Sequence, residues 1–111
     1  HKVSLDLLGS AQEIFIEAAN KAYELIKFIV ENNPTPQPQE GEVVNFNRRK
    51  PSQSEIPKDI TFDNIYDYVR MLDADTYPAA YIDFGGFRLL FKKAKLDNGK
   101  LTMEVDVKKN E

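Results

Sequence analysis

The chain has 111 residues, of which 41 % are hydrophobic, 30 % charged and 11 % aromatic, the make-up of a globular protein with a modest core. With 15 Lys and Arg against 18 Asp and Glu the net charge is −3, so no general basic field points to nucleic acid or to an anionic membrane. Cysteine is absent and the one histidine is residue 1, which excludes disulfides, thiol nucleophiles, His-based triads and multi-histidine metal sites, fits a cytoplasmic protein, and leaves no catalytic or metal-binding set in this chain.

The sequence opens on His1 and runs directly into Val3-Ser4-Leu5, an alternating piece of strand character, as a protein cut out of a longer one would. Ser10 and Glu13 then stand at capping-box spacing. Ile14, Phe15, Ala18, Ala22, Leu25, Ile26 and Ile29 recur at helical spacing and predict a helix over 11–31, stopped by Asn32-Asn33-Pro34. Ile16, Tyr23 and Phe28 lie beyond the main stripe, so more than one face of this helix calls for cover. Residues 34–42 are too rich in proline for helix or central strand and read as an extended connector on the surface, in preference to a peptide ligand for an SH3-like partner. Residues 43–46, Val-Val-Asn-Phe, predict a short strand, and 47–57 a polar loop with a basic start.

Thr61 is placed to cap a second helix over 62–73, with Phe62, Ile65, Tyr66, Val69 and Leu72 as its buried stripe. Tyr77-Pro78 ends that region. Three strands follow at 80–84, 87–96 and 101–107, joined at Gly85-Gly86 and at residues 97–100. The fold class is therefore α+β: two helices, a proline-rich connector and a C-terminal antiparallel β-meander. Residues 1–60 and 61–111 form two parts of one compact unit. Phe84, Phe87, Leu89, Leu90 and Phe91 crowd apolar groups onto both sides of one strand. A sheet of this size keeps one solvated side, so the expected cover is a second copy packed through the meander, a homodimer.

Few residues suggest chemistry. Arg48-Arg49-Lys50 is the most basic spot, read either as solvated loop charge or as an anion contact. Arg70 follows Asp67 at the spacing of an intrahelical ion pair. Asp73 and Asp75 near Tyr77 could form a carboxylate pair, but such residues commonly end helices. Gly85-Gly86 has no phosphate-loop spacing and lies between strands. Tyr66, Tyr68, Tyr77 and Tyr81 read as core or hairpin aromatics before base-stacking groups.

The order of segments resembles a known family. Residues 5–14 resemble the stretch that follows the catalytic core of the folate-dependent formyltransferases, which include methionyl-tRNA formyltransferase and the nucleotide-sugar N-formyltransferases. Residues 38–41 and 46–56 are similar to that family's connector, with its Arg-Arg-x-Pro-x-x-Ser signature. Residues 65–73 with 77–81, and then 81–89, resemble the helix and the start of the β-region that follow it.

The resemblance implies a C-terminal portion, with residues 1–60 as the tail of the formyltransferase core. The parent would move a formyl group from 10-formyltetrahydrofolate to an amine. The family's catalytic Asn, its His in His-x-Ser-x-Leu-Pro and its Asp lie upstream of the matching region. The missing N-terminal catalytic domain is then the implied partner, and this chain alone is expected to bind no cofactor and to be inactive. Its implied duties are acceptor binding or dimerisation. Arg48, Arg49 and Arg70 would meet phosphate and Tyr77 would stack on a base. An amino sugar on a nucleotide is favoured over Met-tRNA, because the chain is acidic and its β-region short. A stand-alone protein-interaction module is the alternative.

Overall fold

Ser10 starts the first helix by leaving it. Its backbone is extended (φ −78°, ψ 163°) and its hydroxyl accepts a hydrogen bond from Glu13 N at 3.2 Å. In the computed structural model, which describes residues 1–110, helix α1 then runs Ala11–Asn32. Asn33 closes it in the left-handed conformation (φ 43°), with its N–H on Ile29 O at 2.9 Å. Only the first turn has buried residues, although His1 stacks on Phe28 further along. Ala11 and Ile14 are buried, whereas Phe15, Ile26 and Ile29 of the same stripe are about half exposed. The rest of α1 forms an arm, and the molecule measures 58 × 32 × 26 Å.

Residues 34–50 cross the surface without regular structure. The strand expected at 43–46 does not form, and Phe46 is 90 % exposed. Strand backbone needs a neighbour for its N–H and C=O groups, and among the described residues none lies alongside. A 3-10 turn follows at Pro51–Ser54, with proline where its missing N–H costs nothing.

Helix α2 spans Phe62–Arg70, three residues short of the expected end. Thr61 occupies the cap position, but its side chain makes no capping bond; its carbonyl accepts from Asn64 N and Ile65 N, each at 3.1 Å. At the other end Leu72 N donates to Val69 O at 3.2 Å and Asp73 N to Arg70 O at 3.3 Å, so the helix tightens and stops.

Strands β1 (Ala80–Phe84), β2 (Phe87–Asp97) and β3 (Lys100–Lys109) form an antiparallel sheet in sequence order, β1-β2-β3. The first hairpin has positive φ at Gly85 only, and the second at both Asn98 (50°) and Gly99 (74°), the two turn patterns that match strand twist. The register slips between Lys92 and Lys95, where Lys93 adopts φ 52°. This bulge interrupts the uniform strand expected over 87–96. Its displaced Lys93 N–H donates to Asp73 Oδ2 at 2.9 Å.

The core lies between α2 and the sheet. Val69, Leu72, Ala80 and Ile56 are buried together, with Phe91, Ala94 and Met103 against them. Leu72→Ala should therefore cost about 2–5 kcal/mol in urea unfolding. Ile26→Ala, on the exposed arm, should stay within about 0.5 kcal/mol in this chain. Equal costs at the two positions would show that the arm packs on the core.

Candidate functional site

The loop that carries Arg48-Arg49-Lys50 faces the segment that joins α2 to β1, and the two enclose a cavity of about 510 Å³. Arg48, Arg49, Lys50 and Ser54 line it on one side, Leu72, Tyr77 and Pro78 on the other. Three of the four residues read from the sequence as anion or base contacts (Arg48, Arg49 and Tyr77) thus meet in one place. A second cavity of about 430 Å³ shares Arg49, Leu72 and Tyr77 and continues to Asn64 and Asp67 on α2.

Gln53 organises the loop. Its side-chain oxygen accepts from Lys50 N at 2.6 Å, and its carbonyl accepts from the Arg49 guanidinium at 2.9 Å and from Tyr68 Oη at 2.7 Å. Tyr68 Oη also lies 2.8 Å from Glu55 O, which ties the loop to α2. Ser54, buried, donates through Oγ to Pro78 O at 3.0 Å and joins the two walls. The Tyr77 ring stands edge-on to Phe15 of α1, with centroids 5.4 Å apart. No carboxylate lines the first cavity, so its three cations face it uncompensated by any lining side chain. Cations, a tyrosine face and an apolar floor suit an anion attached to a planar group. Ser54 and Leu72 did not stand out in the sequence as site residues; the one signal for Ser54 is its place three residues after Pro51.

Arg70 lies elsewhere. One guanidinium nitrogen donates to Leu7 O at 2.8 Å and to Gly9 O at 2.9 Å, while Nε donates to Asp67 Oδ1 at 2.8 Å. The same group lies 5.5 Å from the centroid of the Tyr66 ring. It clamps the segment before α1 onto α2. Gln12 completes that joint, with its N–H on Asp73 O and its side-chain oxygen accepting from Asp75 N, both at 3.0 Å. The Asp73 carboxylate accepts from Lys93 N, and Asp75 joins through its backbone N–H.

The family model for the C-terminal domain of methionyl-tRNA formyltransferase matches residues 51–108, more than half of the chain. The chain belongs to that family. Among solved structures, methionyl-tRNA formyltransferase from Clostridium thermocellum is similar at a TM-score of 0.89 and 45 % identity, over 96 % of this chain and 47 % of that one. The chain thus spans about half the length of that enzyme, and the C-terminal formyltransferase reading is borne out. No curated protein matches it at a significant level. The stand-alone interaction module is not favoured.

Elsewhere in this formyltransferase C-terminal domain the charged groups pair across the sheet. Arg88 holds Asp83 with two hydrogen bonds, 2.7 and 3.0 Å, and lies 3.8 Å over the Tyr81 ring. Lys92 meets Asp106 at 2.9 Å, which raises its pKa. Among the described residues no group of three or more His, Cys, Asp or Glu could hold a metal ion, and no helix is long and apolar enough to cross a membrane. The hydrogen bond from Arg88 holds the Asp83 carboxyl below its ordinary range. A depressed folded-state value stabilises above the unfolded pKa and is lost as pH falls through the folded one. A carboxyl NMR titration should find Asp83 below the usual carboxylate value of about 3.9 and Arg88→Ala should bring it back. An unchanged Asp83 in that variant would contradict the pairing.

Proposed function

We propose that this chain is the acceptor-side half of an enzyme that transfers a formyl group from 10-formyltetrahydrofolate to an amine. The observation that carries the reading is the cavity lined by Arg48, Arg49 and Tyr77, in a chain of this family. The cations bind phosphate of the acceptor and Tyr77 packs on its base.

The formyl donor does not fit the same cavity. A pterin ring presents amino and ring N–H donors that call for carboxylate or amide acceptors, and none of the cavity's side chains is of that kind. An attacking amine must also lose a proton, and no His, Asp or Glu lines the cavity to take it. The donor and the chemical step therefore fall to the other half of the protein, and this chain alone turns nothing over. Residues 1–60 are the tail of that other half: the arm leaves Phe15, Ile26 and Ile29 exposed and the connector Phe46, and the similar solved enzyme has about twice the length.

The acceptor is an amino sugar on a nucleotide. A cavity of about 510 Å³ accommodates one such small molecule. A tRNA calls for an extended basic surface, and this chain carries −3. The relative's name favours Met-tRNA instead, and steady-state kinetics on the full-length protein separates the two. With an amino-sugar nucleotide, Arg48→Ala and Arg49→Ala should each raise KM on the order of tenfold, the loss of one charge-assisted hydrogen bond, with kcat little changed. Arg70→Ala should leave KM unaltered. Turnover of Met-tRNA with none of the sugar would overturn the acceptor, and KM effects confined to Arg70 would overturn the site. The meander, for its part, takes up a second copy of the chain.

A further inference from the structure

The groove wall that carries Tyr77 is the short segment between α2 and β1, which belongs to neither. Within it Tyr77 N donates to Ala74 O at 3.0 Å and Ala74 N to Leu72 O at 3.2 Å, turns that fix it only locally. The β2 bulge holds its start at Asp73, and Ser54 holds its end at Pro78. The residues between are tied by the first turn of α1. Gln12 N donates to Asp73 O and Gln12 Oε1 accepts from Asp75 N, both at 3.0 Å, so one residue grips the segment at two points. Phe15 lies three residues on, and so on the same side of the helix. It meets the Tyr77 ring with centroids 5.4 Å apart and planes at 78°.

The core does not require this contact. Phe15 is 46 % and Tyr77 42 % exposed, whereas the core cluster lies between α2 and the sheet. A perpendicular neighbour fixes the tilt of an aromatic ring and covers at most one of its faces, which leaves the other clear of Phe15. The helix that supplies the contact is itself held in place. Arg70 binds the carbonyls of Leu7 and Gly9 just ahead of the Ser10 cap.

We propose that Gln12 and Phe15 are positioning residues for the acceptor. Gln12 sets the backbone that carries Tyr77, and Phe15 sets the tilt of its ring. A planar group whose phosphate binds Arg48 and Arg49 then finds its stacking surface already in place, which lowers the entropy cost of binding. The proposal rests on the reading that Tyr77 packs on the acceptor's base. It adds that acceptor affinity is governed from α1, the helix which that reading assigns to the other half of the protein.

Calorimetric titration of the full-length protein with uridine diphosphate tests it. Tyr77→Leu should weaken binding about tenfold. Phe15→Leu stays apolar but loses the ring, and Gln12→Met keeps the length but loses the acceptor oxygen. Each should weaken binding about threefold, the size of one aromatic pair or one hydrogen bond. Gln12→Glu retains an acceptor, and its charge is favoured in the first turn of a helix, so it should bind as the wild type does. In the Tyr77→Leu background Phe15→Leu should have no further effect, because both act through one ring. Three results would overturn the positioning role while Tyr77→Leu still weakens binding: wild-type affinity in Phe15→Leu or Gln12→Met, effects of Phe15→Leu and Tyr77→Leu that multiply, or a Gln12→Glu as weak as Gln12→Met. The glutamine variants decide the matter should Phe15→Leu fail to fold. No binding of uridine diphosphate, or binding that Tyr77→Leu leaves unaltered, would overturn the groove reading instead.

Discussion

Asp73 lies where three stretches of chain meet, and its hydrogen bonds hold them in one arrangement. Its carboxylate takes the Lys93 N–H that the β2 bulge leaves without a ladder partner, and its carbonyl takes Gln12 N from the first turn of α1. The aspartate carboxylate thus supplies the acceptor for the N–H that the bulge turns out of the ladder. Asp73 makes both bonds from three residues beyond the end of α2 at Arg70. Arg70, one turn back, then ties Leu7 and Gly9 to the same place.

The groove inherits its shape from that joint. Leu72 and Tyr77, which form one wall, sit on either side of residues 73–75, whose backbone and side chains are bonded to α1 and β2. The facing wall is pinned through Gln53 and Tyr68 to α2. Both walls are therefore anchored to the same short helix, and the Arg49 guanidinium is oriented before any ligand arrives. Preorganisation of this kind lowers the entropy cost of binding. The arm, by contrast, is held to the core at its root, by Ala11, Gln12, Ile14 and the Phe15–Tyr77 contact. Its conformation nonetheless falls within the match to a solved formyltransferase of about twice the length, which accords with cover supplied by the rest of such a protein.

The elements were legible where local chemistry decides them. Ser10 with the apolar spacing of α1, the stripe of α2 and the two glycine-containing turns each specify structure over a few residues, and each stands close to where the sequence places it, except that Phe62 of the expected buried stripe is 58 % exposed. The departures share a cause in distant contacts. The strand at 43–46 has β-character but no neighbour in this chain to pair with. The last residues of the predicted α2 lie outside the helix, and Asp73 among them bonds to the bulge twenty positions further on. The bulge itself is invisible in the alternation of 87–96. The site was half legible for the same reason: Arg48, Arg49 and Tyr77 converge, and the Arg70–Asp67 pair forms at its local spacing, but the bonds that hold Arg70 away from the groove go to Leu7 and Gly9, some sixty residues earlier.

The central claim is that the anion site of this formyltransferase C-terminal domain is the Arg48–Tyr77 groove rather than another basic hollow, such as that lined by Arg88, Lys108 and Asn110 on the sheet. Backbone amide NMR during titration with uridine diphosphate tests it most directly. The account predicts saturable shifts at Arg48, Arg49, Ser54 and Tyr77, with the sheet hollow silent. Shifts at Arg88 and Lys108 with the groove silent would contradict it.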